Sequence, residues 1–304
     1  MSIDRLQDQI RKLKNPTVAG LDPRPEYIPA EIMNRHIAEK GETLAAAADA
    51  YYEFNCGLID ALCDIVPAVK PQSAYYELLG PDGIFALKRT IDYAKDRGLY
   101  VILDGKRNDI GSTAEAYSQA YLGAVTIGAT THIPFGCDSL TVNAYLGADG
   151  IEPFLKVCVA EDKSIFALVK TSNASSVQLQ DLICGDRQLY IAVGDLMARI
   201  SRDTIGASGF SRAGAVVGAT YPSDIRKLRA RLPHTFFLVP GYGAQGGSAE
   251  DVAPAFNQYG HGAVINASRS ILCAWQKDGG DYRQAARAEA LRMREALRRA
   301  VTIV

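Results

Sequence analysis

Eight short apolar runs, each followed by a longer stretch with helix-like periodicity, set the narrowest limits on what this chain can fold into. They are PTVAGLD (16–22), IVPAVK (65–70), LYVILDGK (99–106), SLTVNA (139–144), SIFALVKTS (164–172), AGAVVGAT (213–220), TFFLVPG (235–241) and GAVINAS (262–268). Their apolar character is nearly continuous, which marks strands covered on both faces and hence parallel pairing with helices packed outside. Segments 41–64, 83–98, 223–232 and 281–301 carry apolar residues near helical spacing. Eight such units predict an α/β fold, the (β/α)8 TIM barrel, typically about 250 residues long. A doubly wound sheet shares the alternation but usually places a glycine-rich dinucleotide turn after an early strand, and GLDPRP is not one.

The 304 residues exceed that length, and the surplus reads as insertions in a single domain spanning 1–304. The clearest insertion is 173–212, which supplies extra helix between the fifth and sixth strands. With 33 basic and 34 acidic residues there is no global field to recruit nucleic acid or an anionic membrane, so an anionic ligand has to be met by local charges. The six cysteines form no CxxC pair and read as reduced packing residues. The N-terminal MSIDRLQDQIRKLKNP reads as a charged amphipathic helix rather than a leader, and no run approaches the ~18 apolar residues of a membrane span. A cytoplasmic protein is expected.

Barrel enzymes place their chemistry at the C-terminal ends of the strands. Those ends carry Asp22, Lys70, Asp104 with Lys106, Asn143, Lys170 to Ser172, Thr220, the loop 240–247, and Asn266 to Arg269. Asp104 and Lys106 lie two apart and share one face if the strand persists. Asp109 opens the next loop, and Lys70 closes the second strand. Such lysines and carboxylates around a water-poor cavity satisfy one another as a network, and removing one member leaves an uncompensated charge. A purely structural ion-pair cluster fits the same residues, as does a Schiff-base lysine. Flanking carboxylates favour a protonated Lys106, which suits a proton donor better than a nucleophile. In VPGYGAQGGSAEDV (239–252) the glycines let backbone N–H groups approach a ligand, and SAED opens a helix whose N-terminus favours anions. With Arg269 after the eighth strand, this is a phosphate-site pattern. Thr171, Ser172 and Asn173 are suited to hydrogen-bonding a polar heterocycle.

Taken in order, these segments resemble the orotidine 5'-phosphate decarboxylase family, in its longer bacterial branch (type 2). LDGKRNDIGST matches the family's Asp-x-Lys-x-x-Asp motif, and AGLDPRP, AVKPQSAYYE, TVNAYLG, KTSN, PGYGAQGG and SRSI match after strands one, two, four, five, seven and eight. The resemblance implies a cofactor-independent barrel dimer that converts orotidine 5'-monophosphate to uridine 5'-monophosphate and carbon dioxide, the last step of de novo pyrimidine nucleotide synthesis. It implies Lys106 as proton donor to C6 and Asp104 beside the departing carboxylate. Lys70 and Asp109 complete the charged network, with Asp109 and Thr113 reaching into the partner subunit's site. It further implies Asp22 at the ribose, Ser172 at the pyrimidine, Gln245 with Arg269 at the phosphate, and no metal. Two other readings stay open: a metal-assisted sugar-phosphate decarboxylase or epimerase of the same suprafamily, and a catalytically silent phosphate-binding barrel.

Overall fold

The computed structural model describes residues 1–243 and 246–304. All eight apolar runs form parallel strands, most of them shorter than the runs, with β2 and β3 each reaching one residue past the C-terminal end of theirs: β1 Thr17–Leu21, β2 Ala68–Pro71, β3 Tyr100–Arg107, β4 Ser139–Val142, β5 Ser164–Lys170, β6 Ala213–Val217, β7 Phe237–Val239 and β8 Ala263–Ala267. Each pairs with its sequence neighbours, and β8 closes on β1 through Thr17 opposite Ile265 and Val18 opposite Asn266. Every residue of β1, β2, β4, β6, β7 and β8 is buried, as their unbroken apolar character requires.

The helices around the barrel include Leu44–Leu62, Gly80–Asp96, Pro222–Arg231 and Tyr282–Ala300, close to the segments read from periodicity. Leu44–Leu62 begins where Thr43 Oγ1 accepts from Ala46 N, and buries Tyr51, Phe54, Leu58 and Ile59. The insertion contributes Val177–Gln180 and Leu189–Ile200, with a hairpin of Ile183–Cys184 and Arg187–Gln188 that periodicity does not reveal. A second hairpin, Val125–Ile127 with Thr130–His132, precedes β4. Cys137, Cys158 and Cys273 are buried, Cys56 and Cys63 half-buried, and Cys184 exposed, all as free thiols. Among the described residues, no helix is long and apolar enough to cross a membrane.

The N-terminal end of the barrel is stoppered by helix Ser2–Leu13. Ser2 Oγ lies 2.8 Å from the Tyr100 hydroxyl, Arg5 pairs with buried Asp138 at 3.0 Å, and Gln7 Oε1 accepts from Gly262 N at 3.0 Å. Asp138 also accepts from Val101 N, tying the entry of β4 to β3. Nearby, the buried Arg229 guanidinium lies 3.8 Å from the Phe237 ring centre and donates to the carbonyls of Ala255, Leu232, Thr235 and Gly262. It thereby satisfies backbone groups at the entries of β7 and β8. Arg229→Met should lower unfolding free energy by at least about 3 kcal/mol, because several buried carbonyls lose their donor together. A urea titration with an unchanged midpoint would refute this account of the lower face.

Candidate active site

At the opposite end, β3 leaves regular geometry as it emerges. Its register against β4 shifts between Leu103 and Arg107, and Lys106 adopts φ 46°, a left-handed conformation costly for a side chain of this size. Thr141 on β4 holds the distortion: its hydroxyl accepts from Lys106 N at 3.0 Å and donates to Asp104 Oδ1 at 2.8 Å. Lys106 Nζ returns to the same Oδ1 at 2.6 Å, while Lys70 Nζ at 2.7 Å and Gln72 Nε2 at 3.0 Å take Oδ2. Four donors thus engage the four lone-pair sites of one carboxylate. The shared face expected of Asp104 and Lys106 is realised, through a bulge rather than a straight strand.

Burial alone would push the Asp104 carboxyl up, but the ammoniums of Lys70 and Lys106 outweigh it and hold Asp104 well below the usual carboxylate range. Burial likewise disfavours the charged form of Lys70, and Asp104 with Asp22 overcomes this and raises its pKa. Lys70 and Asp104 are 5% and 11% exposed at their side chains, whereas Lys106 is 46% exposed. Two lysines therefore flank one anion, one locked in and one facing open space.

Two cavities meet at this array, sharing Lys70, Asp104 and Pro240 as walls. One, of about 410 Å³, adds Lys106, Thr141 and the turn Thr171–Ser172–Asn173. The other, of about 300 Å³, adds Asp22, Arg24, Tyr242, Asn266 and Arg269. Asp22 Oδ1 and Asn266 Oδ1 are buried without a hydrogen-bond partner, leaving unmet acceptors beside the second cavity. Small-ligand clefts are commonly of this size.

Of the residues read from sequence, Lys70, Asp104, Lys106, Asp22, Ser172 and Arg269 gather around these cavities. Gln245 lies outside the described residues. Asp109 and Thr113 are not among the lining residues, and Asp109 accepts from Ile110 N instead of joining the lysines. The glycine-rich loop departs from expectation. The N–H groups of Gly243, Gly246 and Gly247 donate to the carbonyls of Gly247, Gly243 and Gly241, so these amides close the turn rather than aim outward. SAED likewise forms a capping box: Ser248 N donates to Asp251 and Asp251 N to Ser248 Oγ, placing an acid where an anion was expected to bind. Local amides need partners, and the chain supplies them itself. Gln72, Thr141 and Arg24 were not read as site residues. Gln72 and Arg24 do stand beside strand ends, and that position is the signal that could have found them. Among the described residues, no three His, Cys, Asp or Glu side chains cluster as a metal site.

An alternating array of buried charge at the strand C-termini, open to a cleft of this size, marks a (β/α)8-barrel enzyme. The profile described as "Orotidine 5'-phosphate decarboxylase / HUMPS family" matches residues 21–286, and the chain belongs to that family. It is 44% identical over 301 residues to the orotidine 5'-phosphate decarboxylase of Rhodopirellula baltica, covering 97% of this chain and 98% of that one. It is 39% identical over 273 residues to the enzyme of the same name from Caldicellulosiruptor bescii, covering 90% of each. Among solved structures, Leishmania donovani OMP decarboxylase superposes with a TM-score of 0.72 at 32% identity, over 97% of this chain and 100% of that one.

The charge array makes stability depend on pH. A carboxylate with a lowered pKa stabilises the fold fully above the unfolded value, about 3.9, and loses that contribution as pH falls toward the folded value. Lys70, with a raised pKa, contributes below about 10.4 and loses its contribution above it. Asp104→Asn, which strands Lys70 without its main counter-charge, should cost about 3 to 5 kcal/mol near pH 7. The gap to the parent should narrow below about pH 4, where Asp104 of the unfolded parent takes up a proton that the folded, lysine-paired carboxylate still refuses. Urea midpoints across pH check both; a gap that widens in acid contradicts the assignment.

Proposed function

We propose that this chain, a single barrel domain, decarboxylates orotidine 5'-monophosphate to uridine 5'-monophosphate and carbon dioxide, completing UMP formation in the cytoplasm. The observation that carries the reading is the Lys70–Asp104–Lys106 array at the junction of two cavities, one suited to a base and the other to a ribose phosphate.

The bond between C6 and its carboxylate breaks, carbon dioxide leaves, and the electron pair stays on C6 with no adjacent carbonyl to accept it. Lys106, the exposed ammonium of the pair, stabilises that charge and donates its proton to C6, later regaining one from solvent. Asp104 is kept ionised by Lys70 and Lys106 and stands beside the departing carboxylate. Gln72 and Thr141 fix its orientation, so little reorganisation accompanies the reaction. Asp22 accepts from the ribose, Ser172 contacts the pyrimidine, and Arg269 with Gln245 holds the phosphate. No cofactor takes part.

The active unit is a homodimer in which Asp109 and Thr113 of each copy complete the other's site. Supporting this, Asp109 has no cationic partner among the described residues, and the neighbouring Asn108 amide is buried with neither polar atom bonded. Ile110, in the loop after β3, and Tyr145, in the loop after β4, are also exposed.

Loss of orotate absorbance measures turnover. Lys106→Ala should lower kcat at least about 10³-fold. Asp109→Ala alone should also be strongly impaired, yet mixing the two variants should restore activity. A mixed dimer holds one site with both Lys106 and Asp109 intact. No recovery on mixing would refute the shared site. Arg269→Ala should weaken the nucleotide at least about tenfold while leaving orotidine nearly unaffected; equal losses on both would refute the phosphate role.

A further inference from the structure

The insertion does more than lengthen the chain, because one of its side chains reaches the reactive cavity. Gln180, at the end of helix Val177–Gln180, lines the same cavity as Lys106, Thr171, Ser172 and Asn173. It is held there by its neighbour Asp181, which pairs with Lys170 at the end of β5. Lys170 is fully buried, with its ammonium 5.0 Å from the ring centres of both Tyr190 and Tyr221 and 4.0 Å from Asp224. A lysine so enclosed fixes where the short helix sits.

The hydrogen bonds that Gln180 makes have only one consistent direction. Thr171 N is an obligatory donor, 2.9 Å from Gln180, so the Gln180 carbonyl oxygen faces it. The amide nitrogen then donates to Thr171 Oγ1 at 2.7 Å. The Thr171 hydroxyl hydrogen is therefore directed to Asn173 Oδ1, 2.6 Å away. That orients the Asn173 amide, whose nitrogen donates to Ser175 Oγ at 3.0 Å and keeps a second N–H. Asn173, a wall of the cavity, thus has its oxygen engaged and one N–H uncommitted.

We propose that Gln180 is a positioning residue that determines base specificity, orienting the Thr171–Asn173 relay so that this wall donates to a ring carbonyl and disfavours a ring amino group. The inference rests on the nucleotide reading of the site. It assigns the insertion the role of selecting a pyrimidine dione over an aminopyrimidine.

Gln180→Glu reverses the relay, since a carboxylate only accepts: it draws the Thr171 hydroxyl to itself and frees Asn173 to turn its oxygen outward. Thr171→Val breaks the relay at its centre without adding charge. Dissociation constants for UMP and CMP, with kinetics on orotidine 5'-monophosphate, are measured for the parent and both variants. The preference for UMP over CMP should fall about tenfold in each variant, the size of one hydrogen bond. KM should rise by more than kcat falls. Added charge or simple loosening weakens both nucleotides alike, so an unchanged ratio in the two variants overturns the inference. Absence of parental turnover overturns the proposed function, whereas parental turnover with an unchanged ratio overturns the relay alone.

Discussion

The carboxylate of Asp104 is the constraint on which the mouth of this barrel depends. It collects ammoniums from β2 and β3, a hydroxyl from β4 and an amide from the turn after β2. Without it, Lys70 and Lys106 would face each other across a poorly solvated cavity, where like charges repel far more strongly than in water. With it, Lys70 is held in its charged form and both lysines have a fixed place. The left-handed backbone of Lys106, a strain of roughly 1–3 kcal/mol, persists because the same carboxylate and Thr141 hold both ends of that residue.

That arrangement also explains why the two lysines are not equivalent. Lys70 is enclosed, and its charge is spent on keeping Asp104 ionised; Lys106 is nearly half exposed and can leave Oδ1 without unmaking the other three bonds. A site meant only to bind an anion has no use for a carboxylate at its centre. A site that must hold a cation beside a carbon while that carbon gains an electron pair does, because the anion keeps the cation aimed in advance.

Most of the barrel was legible because buried parallel strands write themselves as continuous apolar runs, and all eight became strands. The Asp104–Lys106 pair was legible for a related reason: charges at the end of such a run are conspicuous. Thr141 was not, since a threonine inside a strand reads as β-propensity, and its bond to Asp104 spans 37 residues. Gln180 was hidden by both distance and ambiguity, lying in an insertion whose polar residues look like solvated loop. The glycine-rich loop misled in the opposite way. Its composition advertises amides available to a ligand, yet composition does not say which carbonyl each amide meets, and here three of them meet the loop's own.

Buried polarity serves different purposes at the two ends of the barrel, although unmet atoms occur at both: Gln7 Nε2, Thr17 Oγ1 and Ser139 Oγ at the entry are also buried without partners. At the entry end, Asp138 is paired with Arg5 and Val101 N, and Arg229 consumes backbone carbonyls, so polar groups there lock strands together. At the mouth, Asp22 Oδ1, Arg24 Nε and Asn266 Oδ1 are buried without partners beside one cavity. Leaving such groups unmet costs about 1–3 kcal/mol apiece, and those at the mouth differ from those at the entry in bordering a cavity open to a ligand. A polar ligand with hydroxyls and a dianionic end supplies the missing donors and acceptors together. The tightly knit lower face is then what lets the upper face keep them unmet, since the strands that carry these residues are fixed at their other ends.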